Sequence, residues 1–476
     1  MAYSAFFQPA DGWVGDVIPI EVDGEFWLFY LLERREDPKP GTPWALVTTK
    51  DFLRFDDRGI AVPHGRPDEA DFNVYTGCVV RDDRGVHHLY YTGQNPGRLG
   101  ADGRPLQVVR RATSTDGMTS WVRDGGWELQ APDGYETADW RDPFVVKDER
   151  TGVWRMLVAG RHTTGPLRRR GVIAQLTSID LTAWHPAEPF WDPRRYLMHE
   201  CPDLFEWGGW WYLVYSEFSE SFTTRYRVAK SPEGPWTVPA RDTVDGRAFY
   251  ASKSAARDGR RFFFGWISSK EGACDDGAWQ WAGTLSTLEA RQNPDGTLAF
   301  RIPDELVASF HTRLPLTFDR PFPRDLRTPD GFDVVMSREN APDTFYARAA
   351  LDVGPDTTET GLLIRSSADG DEAYIVRLEP RRGRLVFDRW PRATTGPMQW
   401  QVSGDVPFEI ERPCDVTPGE HTLEVLVDGD LLVAVLDRHV TLSARMYDRA
   451  GGRLGVFVGE GRVRVAELAV HAQSDT

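Results

Sequence analysis

One short pattern, a glycine turn followed by an aromatic-rich strand, recurs five times in this chain. It reads GEFWLFY from Gly24, GVHHLYY from Gly85, GVWRMLV from Gly152, GWWYLVY from Gly209 and GRRFFFGW from Gly259. Aromatic and β-branched residues favour strands, and glycine favours the turn before them. Successive glycines lie 50 to 67 residues apart, which leaves room for about four short strands in each repeat. The pattern therefore predicts an all-β fold in which residues 1–308 form a five-bladed β-propeller.

The rest of the chain alternates between apolar and polar residues without this repeat. Prolines punctuate residues 309–324, which we interpret as a linker. Beyond it the turn Asp428-Gly429-Asp430 is a strong hairpin signal. Residues 325–476 are therefore predicted to form a β-sandwich. Its expected strands are Ala347–Val353, Gly361–Ser366, Ala373–Leu378, Arg384–Phe387, His421–Val427, Leu431–Leu436 and Arg453–Val458.

The charge of the chain narrows the choice of partners. The 476 residues include 56 Lys and Arg against 72 Asp and Glu, a formal net charge of −16. Such a balance repels nucleic-acid phosphates and anionic lipid surfaces, so neither is an expected partner. The N-terminus shows no leader pattern, and the four scattered cysteines suggest neither a disulfide framework nor a zinc site. We therefore expect a cytoplasmic protein with reduced thiols.

Three acids occupy the same place in three of the repeats. Asp16, Asp142 and Glu200 precede the turn glycine of their repeat by 8, 10 and 9 residues. In a propeller this place lies on the innermost strand, which lines the central channel. The three carboxylates are therefore predicted to converge from the first, third and fourth blades.

The same place in the other two repeats holds groups that bind hydroxyls or stack on rings. The second repeat has Tyr75 and Thr76 there, and the fifth has Tyr250 and Lys253. A channel of carboxylates, hydroxyls and aromatic rings suits a neutral polyhydroxylated ligand such as a sugar. Two carboxyl groups are also what hydrolysis of a glycosidic bond requires. The alternative from spacing alone is that Asp142 and its counterparts only brace loops at the channel mouth.

At these places the chain resembles glycoside hydrolase family 32, the invertase, inulinase and levanase group that acts on β-fructofuranosides. Arg141-Asp142-Pro143 is similar to the family's Arg-Asp-Pro motif and Glu200-Cys201-Pro202 to its Glu-Cys-Pro motif. Tyr75-Thr76-Gly77-Cys78 resembles its Phe-Ser-Gly-Ser phrase loosely, and Trp281-Ala282-Gly283 is a further match. In the second domain Val386-Phe387-Asp388-Arg389 also resembles a family phrase, so the likeness covers nearly the whole chain.

The resemblance implies a retaining mechanism that uses neither a metal nor a cofactor. Asp16 would be the nucleophile, Glu200 the general acid/base and Asp142 the group that binds fructosyl hydroxyls, with Arg141 orienting the acids. The substrate would be fructan, such as levan or inulin, or a sucrose-type oligosaccharide. The residues that we expect to contact it are Trp13, Tyr75, Thr76, Arg141, Asp203, Tyr250, Lys253 and Trp281.

The first motif departs from the family pattern. Gly15 stands where the family has an asparagine before the nucleophile, and Leu31 stands where it has a glutamine. Glu33 is the nearest polar group that could replace that glutamine. Asp11 is an alternative nucleophile, although it lacks the preceding tryptophan.

Other functions share parts of this pattern. A fructosyltransferase would form the same covalent intermediate and pass it to another sugar. Arabinofuranosidases and xylosidases of a related propeller group use three acids but invert configuration, and the Glu-Cys-Pro phrase argues against them. A carbohydrate-binding protein without catalysis is the third alternative. The second domain is expected to be structural, to extend the substrate footprint or to join subunits.

Overall fold

The computed structural model describes residues 3–391 and 409–473. Within these residues nearly all regular structure is β, and the one α-helix is α1 (Asp304–Ser309). This part of the chain contains no helix with the length and apolarity that a membrane crossing requires. The predicted all-β class is therefore confirmed.

The N-terminal part consists of five successive antiparallel meanders, each built from neighbouring strands. The first is β1 (Trp13–Val22), β2 (Glu25–Glu33), β3 (Trp44–Thr49) and β4 (Asp56–Val62). The second is β5 (Asn73–Arg81), β6 (His87–Leu99), β7 (Pro105–Ser114) and β8 (Val122–Arg123). The third is β9 (Tyr135–Asp148), β10 (Val153–His162), β11 (Gly171–Ser178) and β12 (His185–Pro186). The fourth is β13 (Glu200–Trp207), β14 (Trp210–Glu217) and β15 (Thr223–Ala229), and the fifth is β16 (Phe249–Arg257), β17 (Arg260–Lys270), β18 (Trp279–Gln292) and β19 (Leu298–Arg301).

The glycine turns of the repeat join the first strand of each meander to its second. All five have a positive φ, which glycine adopts without the steric cost that a Cβ would add. The aromatic run after each turn forms a second strand that is largely buried. The sequence pattern therefore identified the repeating unit correctly.

The five first strands lie beside one another in a circular order. β1 lies next to β5, β5 next to β9, β9 next to β13 and β13 next to β16, and β16 lies next to β1 again. The first and fifth meanders also share a sheet, because Val14 pairs with Gly283 of β18. Residues at the same place on the first strands are thereby brought to one centre.

The described residues of the C-terminal part form one continuous sheet of eleven strands that folds over on itself. The long strand β30 pairs with β23 along Arg453–Gly459 and with β22 along Val463–His471, so it joins two layers. The end strands of the sheet, β26 and β29, approach each other. The strands are β20 (Thr312–Arg313), β21 (Arg324–Ala341), β22 (Thr344–Val353), β23 (Glu359–Ser366), β24 (Ala373–Glu379), β25 (Arg384–Trp390), β26 (Ile410–Pro413), β27 (Gly419–Asp428), β28 (Leu431–Leu436), β29 (Val440–Arg445) and β30 (Gly452–Ala472).

The strands predicted for this part are present, including the hairpin at Gly429, which has a φ of 57° between β27 and β28. The sandwich-like form arises from folding of a single sheet, because β30 is long enough to serve both layers. This continuity is not visible in a sequence that shows only separate short strands.

The two parts of the molecule pack closely. The guanidinium of Arg445 is fully buried and donates to the carbonyl oxygens of Ile267 at 2.9 Å and Ser268 at 3.0 Å. Tyr374 donates its hydroxyl to Asp275 at 2.6 Å. One apolar cluster also runs through both parts. The C-terminal sheet therefore supports the fifth meander from outside.

Candidate active site

A cavity of about 330 Å³ lies where the first strands meet. It brings together side chains from the first four meanders and from β18 of the fifth. Its lining residues are Asp16, Leu31, Lys39, Tyr75, Thr76, Gln107, Arg141, Asp142, Glu200 and Trp281. The predicted convergence of the three acids is therefore found in the structure.

Every first strand has an irregularity in its register at this cavity. An extra residue in a strand bends it and redirects side chains, and such bulges are frequent beside active sites. Near the third, fourth and fifth bulges Asp142, Cys201 and Ala251 have φ values of 57°, 50° and 52°, a strained conformation for residues other than glycine. The first strands break register near Asp16, Thr76, Asp142, Cys201 and Ser252.

Amide groups at three of these bulges bind the preceding meander instead of their own sheet. The amide of Asp142 donates to Thr92 Oγ1 at 2.8 Å, and that of Cys201 donates to Asp142 Oδ2 at 2.9 Å. The amide of Ser252 donates to Thr224 Oγ1 at 3.2 Å. The bulges thus position the acids and also connect neighbouring meanders at the site.

Asp16 accepts hydrogen bonds on both carboxylate oxygens, and the Cys201 thiol, 3.7 Å from Oδ2, is one of the donors. Trp266 Nε1 donates to Oδ1 at 3.1 Å, and Thr76 Oγ1 donates to Oδ2 at 2.5 Å. Burial raises the pKa of Asp16, the hydrogen bond from Thr76 lowers it and the charge of Glu200 raises it, with a net increase above the ordinary aspartate value. Asp16 is therefore fixed in orientation but lacks a direct cationic partner.

Glu200 is paired with a cation on one side and a phenol on the other. Arg141 donates to Oε1 from Nε at 3.2 Å and from a terminal nitrogen at 2.8 Å. Tyr250 donates to Oε2 at 2.8 Å, and its ring stacks on Phe222 with centroids 4.0 Å apart. Burial raises the pKa of Glu200, and together with the charge of Asp142 it outweighs the lowering effect of Arg141.

Asp142 is 3% exposed and completes the group of acids. Burial raises its pKa, Arg141 lowers it and the charge of Asp16 raises it, with a net increase. The three carboxylates therefore oppose one another's ionisation. A raised pKa favours the protonated form, which a general acid requires before it reacts.

The departure at Gly15 is coupled to the position of Trp281. A Cβ built on Gly15 would lie 2.8 Å from two ring carbons of Trp281 and 3.0 Å from Cβ of Leu31. Real Cβ atoms do not approach carbon this closely, so no side chain fits before Asp16 while the indole is in place. Leu31 and Trp281 together give the cavity one apolar wall.

Some predicted contact residues do not reach the cavity wall. Trp13 begins β1, and its ring is covered by the guanidinium of Arg35, 4.4 Å away. Asp203 is buried and accepts both the amide and the hydroxyl of Ser254. Lys253 is also buried and donates to the carbonyl of Gly77 at 2.7 Å. None of these three side chains is among the residues that line the cavity, so their contact with substrate stays a prediction.

The remaining predictions divide between the wall and the surface. Thr76, Tyr75, Arg141 and Trp281 line the cavity, whereas Tyr250 acts on it through Glu200. The side chain of Asp11 is 63% exposed and pairs with Arg34 at 2.9 Å. Glu33 is buried and accepts a hydrogen bond from Lys39.

Three residues of the site were not predicted from the sequence. Lys39 and Gln107 line the cavity, and Trp266 binds Asp16. Trp266 belongs to the fifth aromatic run, so the repeat located its strand but gave no indication of its partner. Within the described residues, no group of His, Cys, Asp and Glu side chains is arranged to hold a metal ion.

Residues 6–292 match the family called Glycosyl hydrolases family 32 N-terminal domain, and this match covers more than half of the chain. The all-β fold and the three acids at one cavity agree with this match. The chain belongs to glycoside hydrolase family 32.

Two curated relatives illustrate the range of similarity. The sucrose-6-phosphate hydrolase of Escherichia coli is 28% identical over 313 residues, and the alignment covers 62% of each protein. The raffinose invertase of Escherichia coli is 27% identical over 473 residues, which cover 95% of this chain and 91% of the relative. The chain spans less than two thirds of the sucrose-6-phosphate hydrolase.

A solved structure shows the same fold at lower sequence similarity. A variant of fructan 1-exohydrolase IIa from Cichorium intybus, in complex with 1-kestose, superposes with a TM-score of 0.77 and 18% sequence identity. The superposition covers 100% of this chain and 98% of that one. The likeness therefore extends over both parts of the molecule.

Proposed function

We propose that this protein is a retaining β-fructofuranosidase that hydrolyses fructans or sucrose-type oligosaccharides. The observation that carries the proposal is the meeting of Asp16, Asp142 and Glu200 from three separate first strands at one cavity. Membership of family 32 and the neighbour in complex with 1-kestose support a fructosyl ligand. Two carboxyl groups with separate environments are what this chemistry needs.

In the first step Asp16 attacks the anomeric carbon of the fructosyl unit. A bond forms between a carboxylate oxygen of Asp16 and that carbon, while the glycosidic C–O bond breaks. Glu200 gives its proton to the departing oxygen. The raised pKa of Glu200 suits this role, because the group must carry a proton when substrate binds.

In the second step water replaces Asp16 at the same carbon. Glu200, now ionised, accepts a proton from the water, and the bond to Asp16 breaks. Arg141 stabilises the ionised form of Glu200 through its two hydrogen bonds. Asp142 accepts hydrogen bonds from fructosyl hydroxyls and holds the ring in place. Two successive displacements retain the anomeric configuration.

The architecture that we propose for residues 1–308 is a five-bladed β-propeller with one meander in each blade. The circular order of the first strands supports it, as does the common position of the five bulges. We propose residues 309–324 as the boundary and residues 325–476 as a β-sandwich domain. A cytoplasmic location and assembly through the C-terminal domain stay predictions.

The stereochemistry of the first product tests the mechanism. Proton NMR during hydrolysis of levan, inulin and sucrose should show a first-formed fructose with the anomeric configuration of the substrate. Net inversion would exclude Asp16 as a covalent nucleophile. Transfer products that dominate at low acceptor concentration would replace the hydrolase with a fructosyltransferase. Binding of fructans without any turnover would indicate a carbohydrate-binding protein.

A further inference from the structure

Both cations that line the cavity already have carboxylate partners. Lys39 Nζ donates to Glu33 Oε2 at 2.5 Å. Arg141 divides its guanidinium between Glu200 and Asp139, at 2.8 Å and 2.9 Å. The side chain of Glu33 is only 5% exposed, so it is held beside the lysine by the surrounding protein. The positive charge on the cavity wall is therefore neutralised before any ligand enters.

Two cations just behind the wall are also engaged. Lys253 is buried and donates to the carbonyl of Gly77 at 2.7 Å. Arg35 donates to Ser269 Oγ at 2.7 Å and to the carbonyl of Trp281 at 2.9 Å. Neither is among the residues that line the cavity. A ligand in the cavity therefore meets no cation from this second layer.

The negative charge of the cavity is larger than its positive charge. Three carboxylates, Asp16, Asp142 and Glu200, line the wall beside the two matched cations. Proteins that bind phosphate esters present unmatched arginines, lysines or backbone amides, because the charge of the ester needs donors. A phosphate ester on the departing sugar would therefore approach a site with an excess of carboxylates, and juxtaposed like charges disfavour binding.

The apolar part of the cavity wall suits an uncharged sugar. Leu31 and the ring of Trp281 are apolar, and Gly15 lets the indole lie directly against the strand that carries Asp16. The C–H face of a sugar ring packs on such a surface, while its hydroxyls bind carboxylates.

We propose that the cavity selects an uncharged fructoside and rejects one that carries a phosphate ester. This inference rests on the proposed fructosidase function and specifies its substrate class. Glu33 is the specificity-determining residue, because it neutralises the lysine that could otherwise pair with phosphate. The leucine and tryptophan wall favours the same class of ligand.

The test compares sucrose with sucrose-6-phosphate on the full-length protein at pH 7, above the second phosphate pKa of about 6. We expect kcat/KM for sucrose to exceed that for sucrose-6-phosphate by at least about tenfold. We also expect sucrose-6-phosphate to inhibit sucrose hydrolysis only weakly. Equal turnover of the two, or a preference for the phosphorylated sugar, would overturn the inference and leave the fructosidase function intact.

A variant at the end of β2 and a control three residues later test whether Glu33 causes the effect. Glu33→Gln keeps the shape of the side chain and frees the charge of Lys39. The ratio of kcat/KM for sucrose to kcat/KM for sucrose-6-phosphate should therefore fall by about threefold or more. Glu36→Gln removes an exposed carboxylate three residues further on and should leave the ratio unchanged. An unchanged ratio in a folded Glu33→Gln protein would remove Glu33 from the explanation.

The comparison of the two sugars on the wild-type protein decides the substrate class without either variant. If the protein turns over neither sugar and no fructan, the proposed function itself is refuted.

Discussion

Buried carboxylates in the cavity and in the C-terminal sheet are held in different ways. Glu379 of β24 accepts hydrogen bonds from Arg377 at 2.7 Å and from Arg384 at 2.6 Å. Burial raises the pKa of Glu379, but the bonds from Arg384 and Arg377 outweigh it and lower the pKa below its usual value. Asp16 is bound by the neutral donors Trp266 and Thr76, and its pKa is raised. Two arginines thus keep the pKa of Glu379 low in the sheet, whereas the pKa of Asp16 is raised at the cavity.

Replacing Asp16 by asparagine should have the largest effect, and that effect should be on activity. The variant keeps the size of the side chain but loses the nucleophile, so kcat on sucrose or levan should fall by about 10⁴-fold. Thermal unfolding measured beside the kinetics should show that the protein is still folded. Retention of more than a tenth of the wild-type kcat would remove Asp16 from the chemistry.

Replacing Glu379 by alanine should affect stability instead. The buried Arg377 and the partly buried Arg384 lose their shared partner, so the free energy of unfolding should fall by about 3 kcal/mol in chemical denaturation, with kcat of the folded protein unchanged. Because the folded pKa of Glu379 is depressed, its contribution is present above the unfolded value of about 4.3 and is lost as the pH falls through the folded value. Glu420→Ala, at an exposed position of the same sheet, should change stability by less than about 0.5 kcal/mol. A loss of kcat without destabilisation would contradict the structural role.

Trp266→Phe should lower activity, but by less than Asp16→Asn does. The variant keeps an aromatic ring and removes the hydrogen bond to Asp16 Oδ1, so kcat/KM should fall by about tenfold. That bond favours the ionised carboxylate, so its loss should raise the pKa of Asp16 and shift the acid limb of the kcat/KM profile to higher pH. Trp27→Phe, on the second strand of the first meander, provides the control. An unshifted acid limb would mean that Trp266 contributes packing alone.

Asp11→Asn should have the smallest effect. Its side chain is 63% exposed, and its ion pair with Arg34 lies at the surface, where such pairs contribute little. The value of kcat should stay within about twofold of wild type, and the free energy of unfolding should change by less than about 0.5 kcal/mol. A large loss of kcat would instead revive Asp11 as the alternative nucleophile.

The repeat predicted much of the fold because it depends on local chemistry. Glycine turns and aromatic runs located the second strands, and counting back from the turns placed Asp16, Asp142 and Glu200 on the first strands. The sequence could not show that Trp266 approaches Asp16, because that contact joins positions far apart in the chain when the ring of meanders closes. The same limit applies to Lys39 and to the continuous C-terminal sheet.

Local sequence does not determine the direction in which a predicted contact residue points. Asp203 and Lys253 lie just after the bulges of their strands, and the one-residue shift in register directs them into the protein. Trp13 precedes its bulge and is covered by Arg35. Family motifs mark the neighbourhood of a site, but the bulge decides which side chains face it.

The hydrogen bonds at the bulges make the five repeats interdependent. Backbone amides at the bulges of the third, fourth and fifth repeats each donate a hydrogen bond to the preceding repeat. Asp16 of the first repeat accepts one hydrogen bond from the second repeat and one from the fifth. These hydrogen bonds form a closed circuit through all five repeats, so the position of each acid depends on both neighbouring repeats. Deletion of any single repeat should therefore abolish the function of all three acids together. New chain termini opened in an exposed outer loop would leave this circuit unbroken.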